Sequence, residues 1–246
     1  MENHLVEIFS SIQGEGLYLG TRQIFLRFAG CNLVCSYCDT DFASSAEYRV
    51  ELIPGSGVFT HYKNPTDATE VFEILNKLSL KGIHSISFTG GEPLLHVEFL
   101  KTLITLLKKT NIKSYLETNG TLPRELATII ELIDIICMDI KLPSSYGGQE
   151  LWDVHEKFIK VGAQKQIFIK TVVTADTLPP EIIKTCQIIV QTDRKIPLII
   201  QPVDTHPGFS GKSPSIKKLF ELQELALKYL EDVRVIPQTH KYLGIL

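Results

Sequence analysis

Short β-branched runs alternate along the chain with longer amphipathic stretches, and this rhythm restricts the fold more than any other feature of the sequence. Apolar residues at a spacing of two predict strands, whereas apolar residues at spacings of three and four predict helices. The predicted strands lie at about Gln23–Ala29, Ser85–Thr89, Ser114–Thr118, Ile135–Asp139, Gln166–Val173, Leu198–Gln201 and Val233–Ile236. The predicted helices lie at about Thr66–Lys81, Val97–Thr110, Pro123–Ile133, Gln149–Val161, Pro179–Gln191 and Ser213–Tyr229. A repeated strand–helix–strand order predicts an α/β fold with a parallel sheet.

Length and composition favour one large domain. The chain has 246 residues, of which 44% are hydrophobic, and this is enough to bury a sizeable core. We therefore expect a single domain over residues 1–246, of the α/β barrel type. The segment Ala43–Pro65 is rich in glycine, serine and aromatic residues, and we expect it to form an insertion or cap rather than a core unit.

Charge patterning excludes two classes of partner. The 25 Lys and Arg residues are scattered and face 28 Asp and Glu residues, so the formal net charge is -3 and no basic patch for a nucleic acid is visible. The first residues, MENHLVEIFS, lack the pattern of a signal peptide, and charges interrupt the apolar runs elsewhere. We expect a cytoplasmic protein, and the cytoplasm also keeps thiols reduced. We expect neither a nucleic acid nor a membrane as its partner.

Three cysteines lie close together in the stretch CNLVCSYC. Cys31, Cys35 and Cys38 are too few for the four ligands that a structural zinc ion or an ordinary four-iron cluster takes, and no histidine lies within ten residues of them. Soft thiolates favour iron and sulfur over magnesium or calcium. The triad therefore predicts an iron–sulfur site with one iron open to a small molecule. The two other cysteines, Cys137 and Cys186, occur in apolar runs and are expected to be buried core thiols.

Polar residues follow nearly every predicted strand, where ligands of parallel α/β folds bind. A single residue of this kind is as well explained by a helix cap or a turn, but five strands share the feature. One convergent site is therefore predicted. The residues are Thr89 and Glu92, Glu117 and Asn119, Asp139 and Lys141, Gln201 and Asp204, and Gln238 and His240.

The stretch FLRFAGCNLVCSYCDT resembles the cluster loop of the radical S-adenosylmethionine (SAM) enzymes. The resemblance implies a partial (β/α) barrel with the cluster loop after the first barrel strand. It also implies that Cys31, Cys35 and Cys38 hold a [4Fe–4S] cluster whose open iron is chelated by SAM. The sequence TGGEP at Thr89–Pro93 follows a strand and precedes a helix, and it resembles the motif of these enzymes that receives the SAM amino group.

The same resemblance implies a set of SAM contacts. They are Tyr37, Cys38, Asp39, Gly91, Glu92, Asp139, Ile140, Lys141, Gln201, Pro202, Val203 and Asp204. For Asp139 and Lys141 an alternative stays open, because a buried lysine–aspartate pair can serve the fold alone.

Three further segments, IFSSIQGEG, the CDT after the last clustered cysteine and the terminal VIPQTHKYLGIL, resemble the 7-carboxy-7-deazaguanine synthase family of deazapurine (queuosine precursor) biosynthesis. This resemblance implies 6-carboxy-5,6,7,8-tetrahydropterin as substrate, 7-carboxy-7-deazaguanine as product and loss of ammonia. It further implies hydrogen abstraction from C6 of the substrate, an electron donor such as flavodoxin, and a homodimer.

Substrate contacts are implied along with it. A pterin edge of alternating donors and acceptors suits a glycine-containing loop, and a planar guanidinium suits a carboxylate. The implied residues are Ile12, Gln13, Gly14 and Glu15 for the pterin edge, Arg27 for the substrate carboxylate, and Thr89, His240 and the terminal carboxylate of Leu246 for further contacts. A plain surface turn is the alternative for Gln13 and Glu15.

Thr40 is implied as a ligand of Mg²⁺, a hard cation that prefers oxygen. The alternative is that Asp39 and Thr40 cap a helix after the cluster loop.

Three other functions stay open on the sequence. A glycyl-radical enzyme activase would share the cysteine loop but does not call for IFSSIQGEG or the QTHK terminus. An iron–sulfur electron carrier would need a complete set of ligands, and a structural zinc module would need a fourth ligand as well.

Overall fold

A ten-stranded sheet organises the structure, a computed structural model that describes residues 2–204 and 209–245. Seven strands run parallel in the order β12-β11-β10-β9-β8-β7-β3. They are β3 (Arg22–Phe28), β7 (Ser85–Gly90), β8 (Lys113–Thr118), β9 (Ile135–Asp139), β10 (Gln166–Val173), β11 (Leu198–Pro202) and β12 (Val233–Val235). The sheet curves as a partial barrel and its two edge strands do not pair with each other. The predicted α/β fold is confirmed.

The helices lie between the parallel strands along the chain, as the rhythm predicts, except that the last helix follows β12. They are α1 (Ala68–Lys77), α2 (Val97–Leu107), α3 (Pro123–Ile129), α4 (Pro143–Tyr146), α5 (Trp152–Gly162), α6 (Pro179–Val190), α7 (Ile216–Leu227) and α8 (Thr239–Leu243). Asp67 is the N-cap of helix α1, and its carboxylate accepts from the amides of Thr69 and Glu70. The Glu70 carboxylate in turn accepts from the Asp67 amide. This capping box explains why the helix starts slightly later than the apolar pattern predicts.

Three strands of the sheet are absent from the sequence prediction: β2 (Leu5–Ile12), β4 (Glu47–Val50) and β5 (Thr60–Lys63). Strand β2 pairs antiparallel with β3 and parallel with β4, and β4 and β5 form a hairpin at the sheet edge. The hairpin lies within the segment 43–65, and Tyr48 and Val50 from it are buried in the main core. Two short strands, β1 (Glu2–Asn3) and β6 (Thr66–Asp67), pair separately.

Alternation along the strands separates the outer core from the barrel interior. On β9, Ile136 and Met138 belong to the core under the helices, whereas Ile135 and Cys137 belong to a smaller apolar cluster on the other face. Asp139, two residues further, continues that inner face at the carboxyl end of the strand. The interior therefore changes from an apolar plug to a polar cavity along the strand direction.

None of the helices in residues 2–204 and 209–245 combines the length and apolarity that crossing a bilayer requires.

Candidate active site

A cavity of about 230 Å³ opens at the carboxyl ends of the parallel strands. Most of the predicted site residues line this cavity. Several residues for which the sequence predicts no role line it as well. The predicted residues on its wall are Ile12, Gln13, Gly14, Glu15, Arg27, Cys31, Cys35, Tyr37, Cys38, Asp39, Thr40, Thr89, Gly91, Asp139, Lys141, Gln201, Val203 and His240. The expected convergence of strand ends is therefore observed.

The cluster loop follows β3 and is held by individual hydrogen bonds rather than by regular structure. The Ser36 amide donates to the Tyr146 carbonyl at 3.0 Å, and the Ser36 hydroxyl donates to the Ser145 carbonyl at 2.6 Å. The Cys31 sulfur accepts from the Leu33 backbone amide at 3.4 Å and lies 3.8 Å from the side-chain nitrogen Nδ2 of Asn119. These contacts attach the loop to α4 and to the residue that follows β8.

All three clustered thiols face one cavity, and this arrangement fits a multi-iron group better than a single ion. Burial raises the pKa of Cys35 to about 11 and also raises that of Cys31, so both are protonated thiols near neutral pH and release protons when they bind metal. Within residues 2–204 and 209–245, no three His, Cys, Asp or Glu side chains surround one ion-sized point. A cluster needs no such point, because each thiolate binds a different iron.

Gly90 and Gly91 allow the loop after β7 to pass against the cluster loop. Gly90 has a φ of +124°, in a region that favours glycine, and a Cβ on Gly91 would lie 1.8 Å from the Gly30 carbonyl oxygen. The double glycine is therefore required by close approach of two backbones. That close approach leaves the edge of Gly91 on the cavity wall beside Cys31.

Glu92 departs from the expected SAM contact. Its side chain is fully buried and does not line the cavity. Its carboxylate instead accepts from the Leu94 amide, the Thr118 hydroxyl and the Asn119 amide at 2.8 to 3.0 Å. Burial raises the pKa of Glu92 to about 7, although these donors oppose the shift. Glu92 thus ties β7 to β8 and has no surface for a ligand.

Three other predicted contacts do not line the main cavity. The Ile140 side chain is buried in the outer core, and its carbonyl already accepts from the Thr171 hydroxyl. Pro202 does not line the cavity, and Asp204 lines a second cavity instead. Leu246, whose terminal carboxylate was implied as a substrate contact, lies outside the described residues.

The end of β9 carries a buried charge pair. Lys141 Nζ donates to Asp139 Oδ2 at 2.9 Å and to the Tyr37 hydroxyl at 3.0 Å, so it joins β9 to the cluster loop. Burial alone would lower the pKa of Lys141, but Asp139, Tyr37 and Cys35 together outweigh burial, so the pKa lies well above its ordinary value. Both residues line the cavity.

Two buried acceptors in this part of the cavity have no hydrogen-bond partner among the described residues: Asp139 Oδ1 and Gln201 Oε1. Buried acceptors are normally paired, and an unpaired one marks a place where a ligand or water donates. The ammonium and hydroxyl groups of SAM are donors of this kind. The residues present therefore fit SAM beside the three thiols.

The opposite wall of the cavity is a polar network. Gln13 Nε2 donates to Gln23 and Glu117 at 3.0 and 2.9 Å, and Gln13 Oε1 accepts from the Glu15 amide at 3.0 Å. Glu117 also accepts from the Thr89 hydroxyl at 2.8 Å. The loop at residues 12–15 is therefore an ordered part of the site and not a plain surface turn.

Glu15 is held as a charged carboxylate. Its two oxygens accept from Lys170 Nζ at 2.5 Å and from Gln238 Nε2 at 2.8 Å. Burial alone would raise the pKa of Glu15, but Lys170 and Gln238 outweigh it and lower the pKa to about 2. Lys170 Nζ also lies 3.8 Å from Asp139 Oδ2, so one buried cation connects the two walls of the cavity.

The C-terminal segment closes this wall. The Thr239 amide donates to the Gly14 carbonyl at 2.9 Å, and a Cβ on Gly14 would lie 2.4 Å from a ring nitrogen of His240. Lys241 pairs with Asp39 at 2.6 Å and with Asp204 at 3.5 Å. The two chain ends therefore meet at the cavity, which explains why both carry distinctive motifs.

Thr40 lies on the wall that separates the main cavity from the second one. No helix follows the cluster loop, since the next regular element is β4, and the alternative that Asp39 and Thr40 cap a helix is therefore wrong.

The sequence prediction missed several cavity residues. The sequence predicts strand ends at Glu117, Asn119 and Gln238 but no individual role for them, and no motif includes Lys170. A signal for Lys170 existed, because it is the single charge inside the apolar strand QIFIKTVV. Cys137, expected to be a core thiol, is indeed buried but lies on the cavity wall.

The open parallel sheet and the three-thiol loop define a class of enzyme. A family model described as the Radical SAM superfamily matches residues 26–178, and the chain belongs to this superfamily. Membership implies a [4Fe–4S] cluster and SAM as cofactors, as the sequence resemblance predicted.

Relatives then identify the family within this class. The chain is 44% identical over 246 residues to the 7-carboxy-7-deazaguanine synthase of Geobacter sulfurreducens, covering 98% of this chain and 97% of the relative. It is 38% identical over 249 residues to that of Methanocaldococcus jannaschii, covering 98% and 99%. The crystal structure of QueE from Escherichia coli matches with a TM-score of 0.61 at 20% identity, covering 98% of this chain and 95% of that one. The chain belongs to the 7-carboxy-7-deazaguanine synthase family, radical SAM enzymes of deazapurine biosynthesis that act on a small molecule.

Proposed function

We propose that this enzyme converts 6-carboxy-5,6,7,8-tetrahydropterin to 7-carboxy-7-deazaguanine with loss of ammonia. One observation carries the proposal beyond the names of the relatives. The loop at residues 12–15 and the C-terminal segment contact each other through Gly14 and Thr239, on the same cavity that the three thiols face. Nothing in a generic cluster loop requires these two segments, so they belong to substrate recognition.

Cys31, Cys35 and Cys38 would hold the [4Fe–4S] cluster, and Tyr37, Gly91, Asp139 and Gln201 would surround SAM. When bound, these two groups supply the radical that removes hydrogen from C6 of the substrate. Asp139 and Gln201 would accept hydrogen bonds from SAM through the oxygens that lack a partner among the described residues. Lys141 would hold Asp139 aimed at that position.

Recognition of the pterin would depend on Glu15. Because its carboxylate stays ionised, it is a strong acceptor for the N–H groups of an aminopyrimidine edge. Both of its oxygens already accept bonds, so a ligand would share or replace the Gln238 bond while Lys170 keeps its contact. Gln13 and Thr89 would read the neighbouring atoms, and their bonds to Glu117 fix their orientation.

Arg27 would bind the substrate carboxylate. It lines both cavities and uses only its Nε atom for Glu7, at 2.8 Å. Its two Nη groups have no hydrogen-bond partner among the described residues. A guanidinium with this edge free suits a planar carboxylate. His240 lies on the same wall and would complete the site.

Three finer features belong to the proposal. A Mg²⁺ ion would bind at Thr40 with oxygen atoms of the substrate and would fix the substrate carboxylate. A flavodoxin-like protein would supply the electron, and the enzyme would work as a homodimer. Val34 in the cluster loop is 93% exposed, which gives a protein donor access to this part of the surface.

The test is a single anaerobic assay of the reconstituted enzyme with SAM, a chemical reductant, Mg²⁺ and the carboxytetrahydropterin, with mass detection of products. We expect 7-carboxy-7-deazaguanine and ammonia in equal amounts. Intact cluster and bound SAM with no deazaguanine product would contradict the substrate assignment and would favour a glycyl-radical enzyme activase. A cluster that does not respond to SAM would favour an electron carrier.

A further inference from the structure

Four polar side chains form one row across the sheet at the level of the cavity. Arg49 on β4 pairs in register with Glu7 on β2, Glu7 pairs with Arg27 on β3, and Arg27 pairs with Thr89 on β7. Residues paired across neighbouring strands project from the same face. The row therefore extends from the edge hairpin to the substrate wall of the cavity.

Glu7 divides its two oxygens between the two arginines. Its Oε1 accepts from Arg27 Nε at 2.8 Å, and its Oε2 accepts from Arg49 Nε at 2.8 Å and lies 2.7 Å from Arg49 Nη2 in an ion pair. Glu7 is 5% exposed, so the two arginines rather than bulk water supply its donors. Because Arg49 occupies Oε2, Arg27 binds Glu7 through one nitrogen only and keeps the outer edge of its guanidinium for the cavity.

Arg49 is itself held in place by the hairpin. Its guanidinium carbon lies 4.5 Å from the centre of the Phe59 ring, a cation–π distance. Its neighbours in the strand, Tyr48 and Val50, are buried in the main core and fix the register of β4. The hairpin of β4 and β5 is therefore a rigid support for one charged contact, although it lies at the edge of the sheet.

We infer that Arg49 is a positioning residue for substrate binding, and that through Glu7 it keeps Arg27 turned toward the substrate carboxylate. The inference rests on the proposed role of Arg27. Without Arg49, Glu7 would have a buried oxygen with no partner, and Arg27 is the nearest cation. Carboxylates favour bidentate pairing with arginine, so Arg27 would rotate to bind both oxygens and would withdraw its free edge from the cavity.

Binding of two oxidised pterins to the reconstituted holoenzyme, measured by calorimetry, tests this inference. The probes are 6-carboxypterin and pterin, which lacks the carboxylate. We expect Arg27→Met to weaken 6-carboxypterin about tenfold to hundredfold, since a charge-assisted pair is lost, and to leave pterin unchanged. We expect Arg49→Met to weaken 6-carboxypterin about threefold to tenfold, again with no change for pterin.

A double-mutant cycle separates positioning from direct contact. If Arg49 acts through Arg27, the variant with both substitutions binds 6-carboxypterin as Arg27→Met does. Additive losses would contradict the inference and would make Arg49 a contact of its own. Equal losses for both pterins would contradict it too, because they would indicate a general disturbance of the fold.

Three controls keep the outcomes distinct. Lys63→Met, an exposed change on the same hairpin, should alter neither affinity. Phe59→Ala weakens only the support of Arg49 and should give a smaller loss for 6-carboxypterin alone, so it decides the matter if Arg49→Met does not fold. If Arg27→Met weakens both pterins equally or neither of them, the proposed carboxylate site is wrong. If Arg27→Met weakens 6-carboxypterin alone but Arg49→Met binds both pterins as the wild type does, only the present inference is overturned.

Discussion

The two walls of the cavity are built in opposite ways. On the wall assigned to SAM, Asp139 and Gln201 each keep a buried oxygen without a partner among the described residues. On the wall assigned to the pterin, the side chains of Gln13 and Glu15 already have hydrogen bonds at every oxygen. Both walls are polar, but the buried oxygens of Asp139 and Gln201 lack donors, whereas the side-chain oxygens of Gln13 and Glu15 all have them.

This difference predicts different consequences for binding. A ligand that donates to an unpaired buried acceptor recovers a bond that folding left unmade, so the SAM wall favours affinity. A ligand on the pterin wall must match or replace bonds that already exist, so a molecule with the wrong pattern of donors leaves buried groups unpaired. The pterin wall therefore favours specificity and contributes to stability at the same time.

The largest effect is expected from removing a cluster thiol. Cys35→Ala should abolish the cluster and all turnover, because only two of the three thiolates would remain. Iron and sulfide content and visible absorption after anaerobic reconstitution measure this. Cys186→Ala, a thiol buried in α6 far along the chain, is the matched control and should keep the cluster. Full iron content in Cys35→Ala would show that another residue ligates the metal.

The next effect concerns the cation that joins the two walls. Lys170→Met removes the main group that lowers the pKa of Glu15, so burial should raise that pKa above its present value of about 2. A group with a lowered pKa keeps its charge as pH falls, so wild-type affinity for 6-carboxypterin should stay level between about pH 7 and about pH 5. In the variant, affinity should fall over this window by about threefold or more as Glu15 becomes protonated.

Lys170→Arg keeps the positive charge and should retain the level profile. Parallel profiles for wild type and Lys170→Met would contradict the view that Lys170 keeps Glu15 ionised.

A matched pair of substitutions tests the contrast between the walls directly. Gln13→Leu removes one hydrogen bond each from Gln23, Glu117 and the Glu15 amide, and it should destabilise the protein by about 1–3 kcal/mol. Gln201→Leu removes an acceptor that has no partner, so thermal stability should be unchanged or higher while SAM binding weakens about threefold to tenfold. Melting temperature and SAM titration measure both, and a larger loss of stability in Gln201→Leu would reverse the comparison.

The smallest effect is expected at Thr40. Thr40→Ala should keep the cluster and normal SAM binding but weaken the response of turnover to Mg²⁺, since one oxygen ligand would be lost. Activity at increasing Mg²⁺ concentration checks this, with Thr40→Ser as the variant that preserves the hydroxyl. An unchanged Mg²⁺ dependence would count against the proposed metal site.

The SAM wall was easier to predict from the sequence than the pterin wall, for a physical reason. Cys31, Gly91 and Asp139 each lie at the end of a strand with a clear apolar pattern, and parallel strands bring their carboxyl ends together. The motif around the cysteines then indicated the chemistry. These features depend on local sequence and on one general property of parallel sheets.

The pterin wall depends on contacts between distant parts of the chain. Lys170 and Glu15 are 155 residues apart, and Gln238 and Glu15 are 223 apart, so no local pattern reports either contact. Strand β2 was missed because Glu7, Ser10 and Ser11 interrupt its apolar pattern, and Glu7 is buried only because two arginines flank it. Glu92 was assigned to SAM from its motif alone, which could not indicate that its carboxylate points into the protein.

The central claim is that three thiolates leave one iron open for SAM, and it is tested most directly by paramagnetic resonance of the reduced holoenzyme with SAM labelled in its amino and carboxylate groups. The account predicts magnetic coupling between the cluster and both labels, and a change in the cluster signal when SAM is added. A cluster with a permanent fourth side-chain ligand from this chain, and no coupling to either label, would contradict it.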